Sequence, residues 1–126
     1  MGVCSYVGGC MRKTLNILLI VSIFNFLGSN YATADSIAIL DVRTEAEYRE
    51  SHVQGALNID VRENDFKDKL SKLDKSKTYK VYCRSGNRSG QALKIMKTLD
   101  FNNIENLGSI EAAAKKLNLT CIGKPC

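Results

Sequence analysis

Residues 79–89 read YKVYCRSGNRS, and this stretch decides the fold. Residues 79–83 have the apolar and aromatic composition of a buried strand. The residues that follow are small or polar and include Gly86, which favours a tight turn. From Ser89 to Leu99, apolar side chains return at helical spacing. A strand, a turn and a helix in direct succession are typical of an α/β fold built on a parallel sheet.

The sequence on both sides of this stretch alternates between strand and helix patterns. Strands are predicted at residues 37–42, 53–59 and 104–107, and helices at about residues 45–50, 66–73 and 109–117. Thr44 and Glu47 have the spacing of a capping box, which starts the first of these helices. Asp65 and Ser109 are the predicted N-caps of the other two. The alternation predicts the α/β class, with a parallel sheet and helices on both of its faces.

The N-terminal part of the chain is expected to lie outside this domain. A basic start at residues 11–13 precedes an apolar run at residues 15–27, and Ala32-Thr33-Ala34 then offers a small-x-small cleavage site. This is the pattern of a secretory signal peptide, and we predict cleavage after Ala34. The run is shorter than the ~20 apolar residues that a membrane span needs, so an uncleaved anchor is the less favoured alternative.

Two domain assignments follow from this leader. Residues 1–34 form an N-terminal extension and signal peptide, and residues 35–126 form a single domain with a cysteine-bearing tail. No positive charge precedes residue 11, so Met11 is an alternative start to Met1. Only an uncleaved leader would bring the protein into contact with a membrane.

Charge and histidine content exclude two kinds of binding site. The net charge is +5, but the lysines are scattered and are not interleaved with aromatic residues, so we expect no nucleic-acid binding. His52 is the only histidine, and no second Cys or His lies at ligand spacing from Cys83. We therefore expect no metal site and no other cofactor.

The domain is expected to act as a monomer.

Three cysteines remain after the predicted cleavage: Cys83, Cys121 and Cys126. Disulfides persist in exported proteins, and the Gly and Pro between Cys121 and Cys126 allow the tail to turn back on itself. Such a bridge would stabilise the fold by ~2 kcal/mol. Two free tail thiols are the alternative. If the tail cysteines pair, Cys83 is the odd cysteine, which in an exported protein suggests a reactive thiol or a partner for another chain.

Cys83 lies where sites form in α/β sheets, beyond the carboxyl end of a strand. Backbone N–H groups of a turn and of a helix N-terminus point toward a bound anion and favour a thiolate. Arg84 and Arg88 add positive charge, and Gly86 allows a positive φ. We predict that residues 83–89, the Cys83 loop, hold a thiolate or persulfide and attract small oxyanions. The alternative, a structural buried cysteine, requires neither the arginines nor the glycine.

Several segments resemble the single-domain rhodanese (thiosulfate sulfurtransferase) family. Residues 81–90 resemble its active-site loop, residues 41–48 and 51–59 resemble two upstream signatures, and residues 106–110 resemble its glycine-bearing turn. The short form and the leader are most similar to the periplasmic phage-shock-protein-E type. The resemblance implies a rhodanese-like fold and a periplasmic location.

The resemblance also implies a mechanism. Cys83 would attack the outer sulfur of thiosulfate, release sulfite and carry a persulfide that cyanide or a thiol removes. Arg84 and Arg88 would hold the sulfite end of the donor, and Asp41 and Arg43 would support the loop from behind. The implied substrate-binding residues are Arg84, Ser85, Gly86, Asn87, Arg88 and Ser89.

Loop length separates this chain from its relatives in fold. Four residues lie between Cys83 and Arg88, whereas phosphatase domains of similar fold have a longer loop that accommodates phosphate, so the shorter loop favours sulfur chemistry. Arg43 and Glu47 have the spacing of a surface ion pair. Two other functions stay open: a persulfide or redox carrier that serves a protein partner, and a binding module with only the family's shape.

Overall fold

The computed structural model describes residues 36–126. The predicted signal peptide, its cleavage site after Ala34 and the choice between Met1 and Met11 lie outside the described residues. Within residues 36–126, no helix has the length and apolar character needed to cross a membrane.

Strands and helices alternate along the described part of the chain. The strands are β1 (Ile37–Asp41), β2 (Ser51–Val53), β3 (Ala56–Asn58), β4 (Thr78–Cys83), β5 (Ile104–Ser109) and β6 (Cys121–Gly123). The helices are α1 (Glu45–Glu50), α2 (Phe66–Ser71), α3 (Asn87–Thr98) and α4 (Ile110–Leu117). The capping box that starts α1 is confirmed, because the Thr44 hydroxyl accepts from the Glu47 N–H and the Glu47 carboxylate accepts from the Thr44 N–H.

The main sheet has four strands in the order β3-β1-β4-β5, and every neighbouring pair is parallel. This confirms the predicted parallel sheet. Because the strands are parallel, their carboxyl ends all lie at the same end of the sheet. There Asp41 of β1 is paired in register with Asn58 of β3 and with Tyr82 of β4. Cys83 is the last residue of β4, which is one of the two central strands. It therefore lies at the centre of the carboxyl end of the sheet, where α/β proteins form their sites.

Helices cover both faces of the sheet, as predicted. Alternate side chains of β4 point to opposite faces. Val81 and Cys83 join a buried cluster with Met96 of α3, and Tyr82 joins a second cluster with Ala113 of α4. The sheet is therefore buried on both sides, which explains why the strands of this chain read as continuous apolar runs.

The predicted strand at residues 53–59 is wrong in one respect, because a turn at residues 54–55 divides it into β2 and β3. Gly55 has a φ of +80°, a backbone conformation that glycine adopts without strain. β3 continues the main sheet beside β1, while β2 leaves it and pairs antiparallel with β6. β6 was not predicted, since three residues of a tail carry no periodic signal of their own.

The second predicted helix is shorter than the pattern suggested. α2 ends at Ser71, so Leu73 lies beyond it, and Asp65 precedes the helix without forming a side-chain cap hydrogen bond. α4 agrees with the sequence. The Ser109 hydroxyl accepts from the Ala112 N–H, and Asn118 ends the helix in the left-handed conformation.

Candidate active site

The Cys83 loop reverses the chain within three residues between β4 and α3. Gly86 makes this reversal possible, with a φ of +93° immediately before the first residue of α3. A Cβ atom at this position would lie 3.3 Å from the Cα of Gly108. Both the backbone conformation and the close approach of β5 therefore require glycine.

The sulfur of Cys83 is buried and surrounded by hydrogen-bond donors. The Gly86 N–H donates to Sγ at 3.0 Å, and the Ser89 hydroxyl lies 3.5 Å from it. Burial on its own raises the pKa of the thiol, but hydrogen bonds from the Ser89 hydroxyl and from the N–H groups of Ser89, Ser85 and Gly86 outweigh it. The net effect lowers the pKa of Cys83, which favours the nucleophilic thiolate.

A bidentate ion pair connects the loop to α1. Arg88 donates from Nη1 to Oε2 of Glu47 at 2.7 Å and from Nη2 to Oε1 at 2.8 Å. The hydrogen bond from Arg88 is the largest cause that lowers the pKa of Glu47, to about 2. The Arg88 guanidinium is therefore held in one orientation and has its charge balanced by a carboxylate.

A second ion pair lies at the end of β1, the strand that neighbours β4 in the sheet. Arg43 donates from Nε and Nη2 to the Asp41 carboxylate at distances of 2.7 to 3.1 Å, and both residues are buried. Nη2 also donates to the carbonyl oxygen of Ser51 at 2.5 Å. The pair thereby ties β1 to β2, and the predicted Arg43–Glu47 pair is replaced by Arg43–Asp41 and Glu47–Arg88.

A hydrogen-bond network on β5 braces the other side of the loop. Asn106 donates from Nδ2 to the Gly86 carbonyl oxygen at 3.1 Å and accepts the Gly108 N–H at 2.9 Å. Its Oδ1 also lies 2.7 Å from the Ser89 hydroxyl. β5 has an irregularity opposite Val81 and Tyr82 of β4, and this leaves both Asn106 and Gly108 against the loop.

Arg84 differs from Arg88 in having no carboxylate partner among residues 36–126. It is exposed and lines a cleft of about 290 Å³ beside the Cys83 loop. Glu47 and Glu111 line the same cleft, and so does the tail from Lys124 to Cys126. Arg84 is therefore the loop guanidinium that is free to meet an anion from solvent.

The tail is held in place by a disulfide and by pairing with β2. Cys121 and Cys126 are bridged, with Cα atoms 5.8 Å apart, which leaves Cys83 as the free cysteine of the described residues. The Ser51 hydroxyl donates to the Lys124 carbonyl oxygen at 2.9 Å. The sequence left this pairing open against two free thiols, and the structure forms the bridge.

The comparison with protein families agrees with this geometry. Residues 28–116 match the model of the rhodanese-like domain. The chain belongs to the rhodanese-like family. Its relatives include the thiosulfate sulfurtransferase PspE of Escherichia coli, which is 39% identical over 75 residues, spanning 60% of this chain and 72% of that protein.

Solved rhodanese structures have the same fold. A rhodanese with anions from Escherichia coli is 32% identical, with a TM-score of 0.59 over 71% of this chain and 100% of its own. A rhodanese-like domain from Anabaena is 27% identical, with a TM-score of 0.60 over 69% of this chain and 99% of its own. The rhodanese-like α/β fold expected from the sequence is confirmed.

In this rhodanese-like domain, three of the six predicted substrate-binding residues, Ser85, Gly86 and Ser89, are hydrogen-bond donors to the Cys83 sulfur. The Gly86 N–H and the Ser89 hydroxyl lie 3.0 and 3.5 Å from Sγ, whereas the side chains of Ser85 and Asn87 are exposed to solvent. Asn106 is a member of the site that was not predicted from the sequence, although it belongs to the segment that resembles the family's turn. His52 stacks on the Tyr48 ring, with centroids 3.9 Å apart, and its Nδ1 lies 2.9 Å from the Tyr48 carbonyl oxygen.

Proposed function

We propose that the protein is a thiosulfate sulfurtransferase that carries sulfane sulfur as a persulfide on Cys83. The observation that carries this proposal is the donor-rich surroundings of the free cysteine, where the Gly86 N–H donates to Sγ at 3.0 Å. Membership of the rhodanese-like family and the similarity to a protein named thiosulfate sulfurtransferase support the same reaction.

The reaction begins with the thiolate of Cys83. It attacks the outer sulfur of thiosulfate, a new S–S bond forms to Sγ, and the original S–S bond breaks with its electron pair leaving on sulfite. The persulfide carries a negative charge, which loop N–H groups and the Ser89 hydroxyl stabilise. A cyanide ion or an acceptor thiolate then attacks the outer sulfur, and the Cys83 thiolate leaves as the second product forms.

The two arginines of the loop have different parts in this proposal. Arg84 binds the sulfonate end of thiosulfate, because it faces the cleft and has no ion-pair partner among the described residues. Arg88 keeps the loop in shape through its bidentate pair with Glu47. Asp41 and Arg43 connect the end of β1 to the start of β2.

The size of the substrates follows from the burial of the sulfur. The Cys83 side chain is fully buried, so small donors and acceptors reach it more readily than a bulky partner does. We propose thiosulfate or a small persulfide as the donor, cyanide or a small thiol as the acceptor, and a monomeric protein. On the basis of the leader pattern, we propose that the reaction takes place in the periplasm.

The test is thiocyanate release from thiosulfate and cyanide. The purified protein should release thiocyanate, and Cys83→Ser should abolish the release while leaving the unfolding temperature nearly unchanged. Thiosulfate alone should add about 32 Da to the Cys83 peptide, the mass of one persulfide sulfur. A protein that gains this mass without releasing thiocyanate would be a carrier, and one that does neither would refute the proposal.

A further inference from the structure

The Asn106 side chain is a part of the site that the proposed reaction leaves without a role. It belongs to β5 and is exposed to solvent. Its two backbone contacts fix the orientation of the carboxamide, because Nδ2 donates to the Gly86 carbonyl and Oδ1 accepts the Gly108 N–H. Exchanging the two atoms would place donor against donor and acceptor against acceptor. Oδ1 is therefore the atom that faces Ser89.

The Ser89 hydroxyl has one proton and three acceptors within reach. Oδ1 of Asn106 lies at 2.7 Å, the Gly86 carbonyl oxygen at 3.0 Å and Sγ of Cys83 at 3.5 Å. A proton donated to Asn106 is withheld from the sulfur, and the hydroxyl then offers the sulfur only a lone pair. That arrangement suits a protonated thiol, whereas a thiolate or persulfide requires the proton to turn toward Sγ.

We propose that Asn106 is a positioning residue that competes for the Ser89 proton and so limits how strongly this hydroxyl stabilises the anionic sulfur of Cys83. The inference rests on the proposed function, in which Cys83 reacts as a thiolate and carries a persulfide. Ser89 is fully buried, so water does not replace the hydroxyl's hydrogen bond when its direction changes. Asn106 thus acts on the sulfur through Ser89.

The pH dependence of Cys83 alkylation by iodoacetamide tests this role and requires no sulfur donor. Asn106→Ala should increase the thiolate fraction below the pKa about three- to tenfold, the range of one hydrogen bond. In a Ser89→Ala background, the same Asn106→Ala change should leave the thiolate fraction unaltered. Alkylation is scored on the Cys83 peptide by mass spectrometry.

A second variant distinguishes the proposed role of Asn106 from a general loss of loop structure. Asn106→Asp keeps the acceptor for the Gly108 N–H but binds the Ser89 proton more strongly and adds negative charge, so it should decrease the thiolate fraction. Because Asn106 is exposed, neither variant opens a core cavity, and thermal unfolding checks that both fold. An equal change in both Ser89 backgrounds, or any other pattern, overturns the proposal. If the variants show the predicted changes in alkylation but the wild-type protein transfers no sulfur, the proposed function is refuted and the role of Asn106 is not.

Discussion

Glu47 and Arg88, which are 41 positions apart in sequence, join helix α1 to the Cys83 loop through two hydrogen bonds. The same carboxylate accepts from the N–H and hydroxyl of Thr44. One side chain therefore both starts α1 and holds the loop that surrounds the sulfur. The pair supports the loop from the side of α1, as Asn106 does from the side of β5 through its hydrogen bond to the Gly86 carbonyl oxygen.

Replacing Glu47 should destabilise the protein more than replacing a surface carboxylate does. Glu47→Gln leaves the Arg88 guanidinium partly buried without its counter-charge, and we expect a loss of about 1–3 kcal/mol in the free energy of unfolding. Glu45→Gln is the matched control, since the Glu45–Arg49 pair is exposed and should contribute less than about 1 kcal/mol. Urea denaturation measures both, and equal losses would contradict the bracing role.

Steady-state kinetics distinguish two roles for Arg88: holding the loop in shape through Glu47, and binding the sulfur donor. If Arg88 acts only through Glu47, Arg88→Ala and Glu47→Gln should lower kcat/KM for thiosulfate by similar factors, about tenfold or more if the loop geometry is lost. A much larger rise in KM for Arg88→Ala than for Glu47→Gln would show that Arg88 contacts the donor, as the resemblance had implied.

The Glu47–Arg88 pair should make the free energy of unfolding depend on pH in the acid range. The pKa of Glu47 is lowered from an ordinary value of 4.5 to about 2, first of all by the hydrogen bond from Arg88. A carboxylate whose pKa is lowered by folding stabilises the folded state fully at pH values above its ordinary pKa. This stabilisation is lost as the pH falls toward the pKa of the carboxylate in the folded state. The stability difference between wild type and Glu47→Gln should therefore shrink between about pH 4.5 and pH 2. A difference that stays constant over this range would contradict the assignment.

Local patterns predicted the framework of the fold and the centre of the site. The apolar run before Cys83, the glycine in the turn and the helical spacing after Ser89 are all signals within a few residues, and they placed the thiol at the carboxyl end of a strand. The capping box of α1 is equally local. The confirmed parallel sheet follows from the alternation of such elements.

Partners that are distant in sequence were not predictable in the same way. Glu47 was assigned to Arg43 because the two are four residues apart, yet the fold brings it to Arg88 and gives Arg43 to Asp41. Asn106 was predicted to lie in the strand at residues 104–107 and in the segment that resembles the family's turn, but nothing in that segment indicates that β5 passes the loop. These contacts depend on strand order, which the sequence pattern does not specify.

Removing the free guanidinium of the loop should weaken donor binding. Arg84→Ala should raise KM for thiosulfate about three- to tenfold, since one charge-assisted contact is lost. Arg84→Lys should recover part of the loss by keeping the charge. Arg62→Ala, which removes another exposed arginine away from the cleft, is the control for net charge. An equal rise in KM for Arg62→Ala would reduce the effect to general electrostatic attraction.

Glycine at position 86 should be required for activity as well as for stability. Gly86→Ala places a Cβ 3.3 Å from the Gly108 backbone at a φ of +93° and displaces the N–H that contacts Sγ. Gly55→Ala is the matched control, because its φ is +80° but its Cβ would meet no atom within 4 Å. Both should lose about 1–2 kcal/mol of stability from backbone strain. Only Gly86→Ala should also lose thiocyanate release, and loss in both would contradict a specific role for the loop.

The tail disulfide should leave one thiol to react and should stabilise the fold. Protein lacking residues 1–34 should show one thiol with Ellman's reagent when unfolded without reductant and three after reduction, because Cys83 is the free cysteine. Replacing Cys121 and Cys126 by Ser should lower the free energy of unfolding by ~2 kcal/mol, the loop entropy of so short a bridge. The bridge also holds the strand that pairs with β2, where the Lys124 N–H donates to the Glu50 carbonyl oxygen at 3.1 Å. Hydrogen exchange at this amide should therefore accelerate in the double variant, whereas exchange at the Val81 amide, in the main sheet, should not. Three thiols in the unreduced protein would show that the tail is not bridged in solution.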